Sequence, residues 1–218
     1  MKKFGFTLAE VLVTLGVIGV IAALTLPSLI ANYEKKVYAT SLKKDYTLIM
    51  NAFQKAMVDG ESLGDFEQTE LADALKSDDI NIAQKEINKY FRNAKVSQSD
   101  QRSYRYINKY DWEYERCNIP SYAKYRTDLP GFTFWVVGQY SGILELYIDV
   151  IGADSKPNIV GKDFYYVRLN KRLKLDGHWY SIWRSNAKHY AYNDCKTFKG
   201  EACFYTIYAE DNWEIKYY

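Results

Sequence analysis

Hydrophobic and polar positions along this chain follow three successive patterns. From Val11 to Ala31 there are 21 residues without a charge, enough at about 1.5 Å per residue to cross a hydrocarbon layer of about 30 Å. Beyond Ala31 the apolar positions thin to a stripe. Tyr38, Leu42, Tyr46, Ile49, Phe53 and Met57 recur at steps of three and four, with Lys35, Lys36, Lys43, Lys44 and Lys55 at other positions. Together the two patterns predict one continuous helix from Phe6 to Val58, roughly 80 Å long. Its first half is apolar all round and its second half amphipathic, with a stop at Asp59-Gly60. Pro27 lacks a backbone donor and predicts a kink or loosening near Leu24 and Thr25. The stripe suits packing on a globular head. A coiled-coil dimer is the competing use, but only about three heptads are present.

The third pattern begins after Gly131, where the period changes to two. Phe132 to Val137, Ile143 to Val150 and Phe164 to Leu169 read as strands, with Leu144, Leu146, Ile148 and Val150 on one face of the second and Glu145, Tyr147 and Asp149 on the other. Arg172 to Leu175 and His178 to Arg184 flank Asp176-Gly177, a two-residue hairpin signal. Cys203 to Tyr208 and Trp213 to Tyr217 predict a last hairpin around Glu210-Asp-Asn212. The expected fold class is α+β, with a curved antiparallel sheet packed on the helix stripe. Between helix and sheet, Glu61 to Gly131 is harder to read. Glu67 to Leu75 and Ile80 to Lys95 suit short helices. Arg102 to Arg126 interleaves tyrosines and Trp112 with charges and reads as a solvated cover.

The start of the chain is the most specific feature. Phe4-Gly-Phe-Thr-Leu-Ala-Glu10 follows Lys2 and Lys3 and precedes the apolar run. A carboxylate, Glu10, thus stands at the mouth of a membrane-length segment, where an ionisable group is costly and functional by default. A secretory signal places its small-residue cleavage site after the apolar run. Here the small residue flanking the basic start is Gly5, before the run, so a clipped leader would leave the hydrophobic segment in place.

Lys3-Phe-Gly-Phe-Thr-Leu-Ala-Glu-Val-Leu12 resembles the N-terminus of the type IV prepilin family, which includes the pseudopilins of type II secretion. The match runs from about Lys3 to Leu26. The resemblance implies cleavage by a prepilin peptidase after Gly5, N-methylation of Phe6, and a role in assembly for Glu10. It also implies a proline kink at Pro27 and a pilin-like fold. Residues 1–5 are then leader, 6–31 the transmembrane half of the helix and 32–58 its amphipathic half. Residues 59–131 form a variable connection, and 132–218 the sheet with a C-terminal cysteine loop. Partners implied are the peptidase, an inner-membrane assembly platform and other pilins or pseudopilins, in a homo- or hetero-polymer. The implied location is the bacterial cytoplasmic (inner) membrane, single-pass with the head outside the cytoplasm, then an extracytoplasmic filament. Lysines lie on both sides of the span, so charge alone does not orient it.

Composition narrows the function classes. The chain has 218 residues, with 29 Lys and Arg against 27 Asp and Glu. Without Lys2 and Lys3 the count is 27 against 27, a balance that argues against nucleic acid as a partner. Of three cysteines, Cys195 and Cys203 are the expected disulfide, being close together in a turn-rich stretch. The bridge would be worth roughly 2–3 kcal/mol on the loop-entropy model, and Cys117 is left over. Three reduced, buried cysteines are the alternative. Neither His178 nor His189 stands at a zinc-ligand spacing from them.

A second stretch, Ile148 to Phe164, resembles the Asp-x-Asn-Gly…Pro-Asn…Gly…Asp-x-Phe loop of pseudopilin-like proteins, with Ile151 where that pattern has Asn. Asp149, Asp154, Asn158 and Asp163 carry the oxygens that Ca²⁺ takes, but the spacing is not an EF-hand and a structural connection is the preferred reading. No other cofactor is implied. No nucleophile elbow, phosphate loop or zinc-helix motif is visible, and Ser181 with His178 forms no recognisable triad, so an enzyme is not expected. The function expected is a structural filament subunit. A minor pilin-like module whose Tyr-rich head binds a surface, sugar or DNA, or a membrane-anchored enzyme, are the alternatives.

Overall fold

The computed structural model describes residues 5, 7–62, 64–100, 102–106, 116–139, 142–175 and 203–216. The chain divides into two units, Met1–Val37 and Tyr38–Tyr218.

Helix α1 runs from Leu8 to Asp59 through Pro27, as the two helical patterns predict. Around the proline, the hydroxyls of Thr25 and Ser28 donate to the carbonyls of Ile21 (2.9 Å) and Thr25 (3.0 Å). Such back-bonding accompanies a proline in an apolar helix. In the first unit the side chains of Val11, Leu12, Val13, Leu15 and Ile18 are all exposed. At the other end Gly60 N–H donates to Ala56 and Ser62 N–H to Met57. The left-handed residue that ends α1 is Glu61 (φ 53°), one position beyond the glycine of the expected stop.

In the second unit Leu42, Ile49 and Phe53 of the stripe are fully buried, Tyr46 is buried, and Tyr38 and Met57 are partly so. Each buried side chain of this size contributes about 1.5–3 kcal/mol. A 3₁₀ turn, Phe66–Gln68, leads into α2 (Glu70–Lys76), capped by Thr69 Oγ1, which accepts from Ala72 N–H at 3.1 Å. Helix α3 spans Ile80–Tyr90, with Asp79 Oδ1 accepting from Asn81 N–H at 2.9 Å. It stops short of the expected Lys95 because Asn93 is left-handed (φ 60°) and Lys95 already belongs to a strand.

Eight strands follow: β1 (Lys95–Gln98), β2 (Ser103–Tyr106), β3 (Arg116–Asn118), β4 (Tyr125–Leu129), β5 (Phe132–Gln139), β6 (Ile143–Asp149), β7 (Ile159–Val160) and β8 (Phe164–Asn170). They form one sheet in the order β1-β4-β5-β6-β8-β7-β2-β3. The sheet is mixed, not antiparallel as expected, because β7 runs parallel to both β8 and β2. Four strands fall within 59–131, which is therefore more than a connection.

Both faces of the sheet are buried. Phe134, Leu144, Leu146, Ile148, Val167 and Leu169 join the core with α1, α2 and α3, while Trp135, Val137, Tyr147 and Phe164 face a second core with Tyr104, Ile119 and Ala123. Tyr104 stacks on Phe164 with ring centroids 3.7 Å apart. The expected polar face of β6 is thus covered, with Glu145, Tyr147 and Asp149 all buried. Its cover comes from the segment expected to be solvated.

Two expected hairpins are not formed as read. Arg172 to Leu175 is a turn. Asn170 Oδ1 accepts from the N–H groups of Arg172 (2.9 Å) and Lys174 (3.1 Å), Leu173 is left-handed (φ 58°), and Leu175 makes one isolated bridge to Leu169. Asp176-Gly177 and His178 to Arg184 lie outside the described residues. Cys203 to Tyr208 is helical, not extended, with an α-turn at Cys203–Tyr205 and a π-turn at Thr206–Glu210. That winding buries Cys203, Phe204 and Ile207 together and brings Phe204 to 4.8 Å from Tyr46. Asn212 and Trp213 are both left-handed (φ 48° and 65°), which precludes a strand at Trp213.

Candidate functional site

The N-terminal motif folds locally as a helix cap. Thr7 Oγ1 accepts from Glu10 N–H at 3.3 Å, and Glu10 Oε2 accepts from Thr7 N–H at 2.8 Å and from the Thr7 hydroxyl at 2.7 Å. This is a capping box, in which residues three apart satisfy each other's orphan donors where α1 begins. The signal was present in the sequence as Thr-x-x-Glu, although the costly position of Glu10 drew the reading elsewhere. Gly5 precedes the cap, and among the described residues nothing lies within 4 Å of where a Cβ would stand on it, its chain neighbours aside. Phe6 lies outside the described residues. Thr7 and Glu10 are exposed, and so are the apolar residues that follow them. By length and composition α1 is able to cross a membrane.

The loop from β6 to β8 holds three of its four candidate cation ligands in other contacts. Asp163 is fully buried and accepts from the N–H groups of Asn158 (2.7 Å) and Ile159 (2.6 Å). Burial raises its pKa, and those two N–H groups oppose the rise. Asp149 is also fully buried, and its Oδ1 accepts from Ile151 N–H at 3.2 Å. Loss of water raises its pKa to about 7, reinforced by the charge of Asp163 and opposed by the N–H of Ile151, Tyr104 and the N–H of Gly152. The Tyr104 hydroxyl lies close enough to favour the ionised carboxylate, yet neither it nor Asp149 Oδ2 has a hydrogen bond of ordinary geometry. Burial, then the Asp149 charge, raise the Tyr104 pKa in turn.

Asp154 points elsewhere. Its carboxylate pairs with Arg102 (2.5 Å) and Arg126 (2.9 Å), and the Arg102 hydrogen bond, followed by the Arg126 one, lowers its pKa. Arg126 also meets Asp128 (2.8 Å) and Asp100 (3.0 Å), while Arg102 pairs with Asp100 and donates to Ala153 O. This network ties the β1–β2 and β6–β7 connections to β4. Asp154 is therefore drawn to the arginines, while Asp163 stays beside Asn158 and close enough to Asp149 to act on its charge. Among the described residues no group of three or more His, Cys, Asp or Glu side chains is placed to hold a metal ion. The arrangement is that of a structural loop, with two buried carboxylates fixing its ends.

One feature escaped the sequence reading. Asp45 sits within the apolar stripe of α1 and is buried, and loss of water raises its pKa to about 7 against the pull of Lys44. Nothing in the period of three and four marks a polar residue as buried. Cys203 is fully buried. Cys195 and the side chain of Cys117 lie outside what is described, so the pairing stays an expectation.

No family model, curated protein or solved structure matches this chain.

Proposed function

We propose that the chain is a structural subunit of a helical filament, either a type IV pilus or a type II secretion pseudopilus. A prepilin peptidase cuts after Gly5, Phe6 becomes the N-methylated first residue, and the apolar start of α1 holds the subunit in the inner membrane with its globular unit outside the cytoplasm. An assembly platform then moves it into a polymer of pilins or pseudopilins, joined through this helix.

One observation carries the reading. A motif of basic residues, Gly5 and Glu10 leads into a helix whose large apolar side chains, from Val11 to Ile30, are exposed. An apolar surface of that extent is not stable in water and needs lipid or other copies around it. A Cys195–Cys203 bridge, which this reading includes, belongs to an oxidising compartment outside the cytoplasm. Membrane residence and polymerisation both use the same helix surface, one before assembly and one after.

Intact mass of the chain extracted from its native membrane tests the proposal. The mass expected is that of a chain starting at methylated Phe6. A full-length chain starting at Met1 as the sole product would overturn it.

A further inference from the structure

The outer face of α1 in the second unit carries a groove whose charge is unbalanced. Lys43, Lys44, Leu48, Asn51 and Lys55 line it, and Tyr90 of α3 closes one side. From Lys35 to Lys55 the helix has five lysines and one carboxylate, Asp45, and that carboxylate is buried on the opposite side, among the stripe. Lys43 lies over the Trp213 ring at 5.8 Å. Among the described residues none of Lys43, Lys44 and Lys55 has a carboxylate within ion-pair distance. Leu48 is 38% exposed at the middle of the groove.

The segment just after α1 has the opposite character. Asp59 to Asp79 holds eight carboxylates and one lysine, Lys76. Asp65, Glu70 and Asp78 are held by Lys171, Lys89 and Lys124. Asp59, Glu61 and Asp73 are exposed and have no ion pair among the described residues. One chain therefore presents a cationic groove with an apolar centre and an acidic segment in which Asp59, Glu61 and Asp73 have no ion pair among the described residues.

We propose that the groove lined by Lys43, Lys44, Leu48 and Lys55 receives the acidic Asp59–Asp79 segment of a second copy of this chain. The inference rests on the filament reading and adds a second contact to it, outside the apolar part of α1. Since the two surfaces are different, the contact is head-to-tail, and each copy keeps one groove and one ridge for further copies. Repetition of such a contact extends a polymer without closing it. The charges select copy orientation and register, because a reversed neighbour would set lysines against lysines. Anionic lipid headgroups are the competing occupant of a lysine row. Headgroup-binding lysines stand immediately beside an apolar segment, whereas Lys55 is well past Ala31.

The test uses the full-length chain in bacterial membranes, with a photo-crosslinking residue in place of Leu48 and, separately, in place of Val17 in the apolar part of α1. The Leu48 probe is expected to give a chain-to-chain adduct that maps to residues 59–79. The double variant Lys44→Glu/Lys55→Glu is expected to lower that adduct by roughly tenfold, since like charges across an interface repel strongly. Adding Glu61→Lys and Asp73→Lys to the same chain is expected to restore it. Lipid adducts at Leu48, adducts to another segment, or indifference to the charge reversals would overturn the inference. Chain-to-chain adducts from Val17 alone leave the filament reading standing without this contact. Their absence at both positions removes the filament reading as well.

Discussion

Replacing Asp149 with asparagine should change how the stability of the globular unit depends on pH. Asp149 is fully buried at the end of β6, with one carboxylate oxygen on Ile151 N–H and the other beside the Tyr104 hydroxyl. Burial, reinforced by Asp163, raises its pKa from 3.8 to about 7. In the unfolded chain the carboxyl loses its proton near pH 3.8; in the folded chain it keeps it to about pH 7. Within that window the folded state binds more protons, so stability falls as pH rises. A rise of about three pH units corresponds to at most about 4 kcal/mol, at 1.36 kcal/mol per unit.

Asparagine has nearly the same shape and does not ionise. Urea denaturation of the full-length chain in detergent, followed by tryptophan fluorescence at pH 4.5 and pH 8, gives the comparison. Wild type should lose about 2–4 kcal/mol more than Asp149→Asn between those values. The raised pKa of Asp45 acts with the same sign in both chains and cancels in the difference. Parallel curves for the two proteins would refute the reasoning, because they would mean that Asp149 is ionised throughout or is compensated by a partner.

Phe53→Ala should cost about 3–5 kcal/mol in the same assay, because Phe53 is fully buried on α1 with its ring 4.5 Å from that of Phe66; a loss under about 1 kcal/mol would mean that the stripe is not the core face. Asp45→Asn should raise stability at pH 8 by about 1–2 kcal/mol and have little effect at pH 4.5, since Asp45 is buried with its pKa raised to about 7. A loss of stability at pH 8 would show that the ionised carboxylate is held favourably.

The long helix and the central strands were legible because each follows one period over many residues. β6 and β8 alternate, β5 is a run rich in strand-forming residues, and the stripe from Leu42 to Phe53 is the face that is buried. Burial of the other sheet face was not legible. Tyr104 and Ile119 lie in a stretch dense in charges and tyrosines, and only the pairing of β2 with β7, distant in sequence, sets Tyr104 on Phe164. The helical turns at Cys203–Glu210 were misread because Phe204 and Ile207 are also good strand residues. Their spacing of three fits a helix face, and contact with Tyr46 decides the matter. In the loop after β6, the acidic residues were visible but their partners were not. Arg102 and Arg126 reach Asp154 across some fifty and some thirty residues of chain.

Glu10 caps α1 and, on the filament reading, also serves assembly, and one substitution is able to separate the two. Its Oε2 takes both hydrogen bonds from Thr7, while no hydrogen bond to Oε1 is found among the described residues. Capping of α1 therefore leaves half of the carboxylate available to a cation, such as the amine that cleavage after Gly5 would create at Phe6 of a neighbouring copy. Glutamine at this position retains an oxygen for the cap, since Gln serves in a capping box as Glu does, but it carries no charge. Alanine removes both functions. If charge neutralisation between copies sets the register, Glu10→Gln and Glu10→Ala should both be inserted and cleaved normally, and both should give few sheared filaments. Amide exchange at Leu8 to Glu10 should remain slow in the Gln variant and speed up in the Ala variant. Filaments at wild-type levels from Glu10→Gln would show that the cap, not the charge, is what assembly requires of this residue.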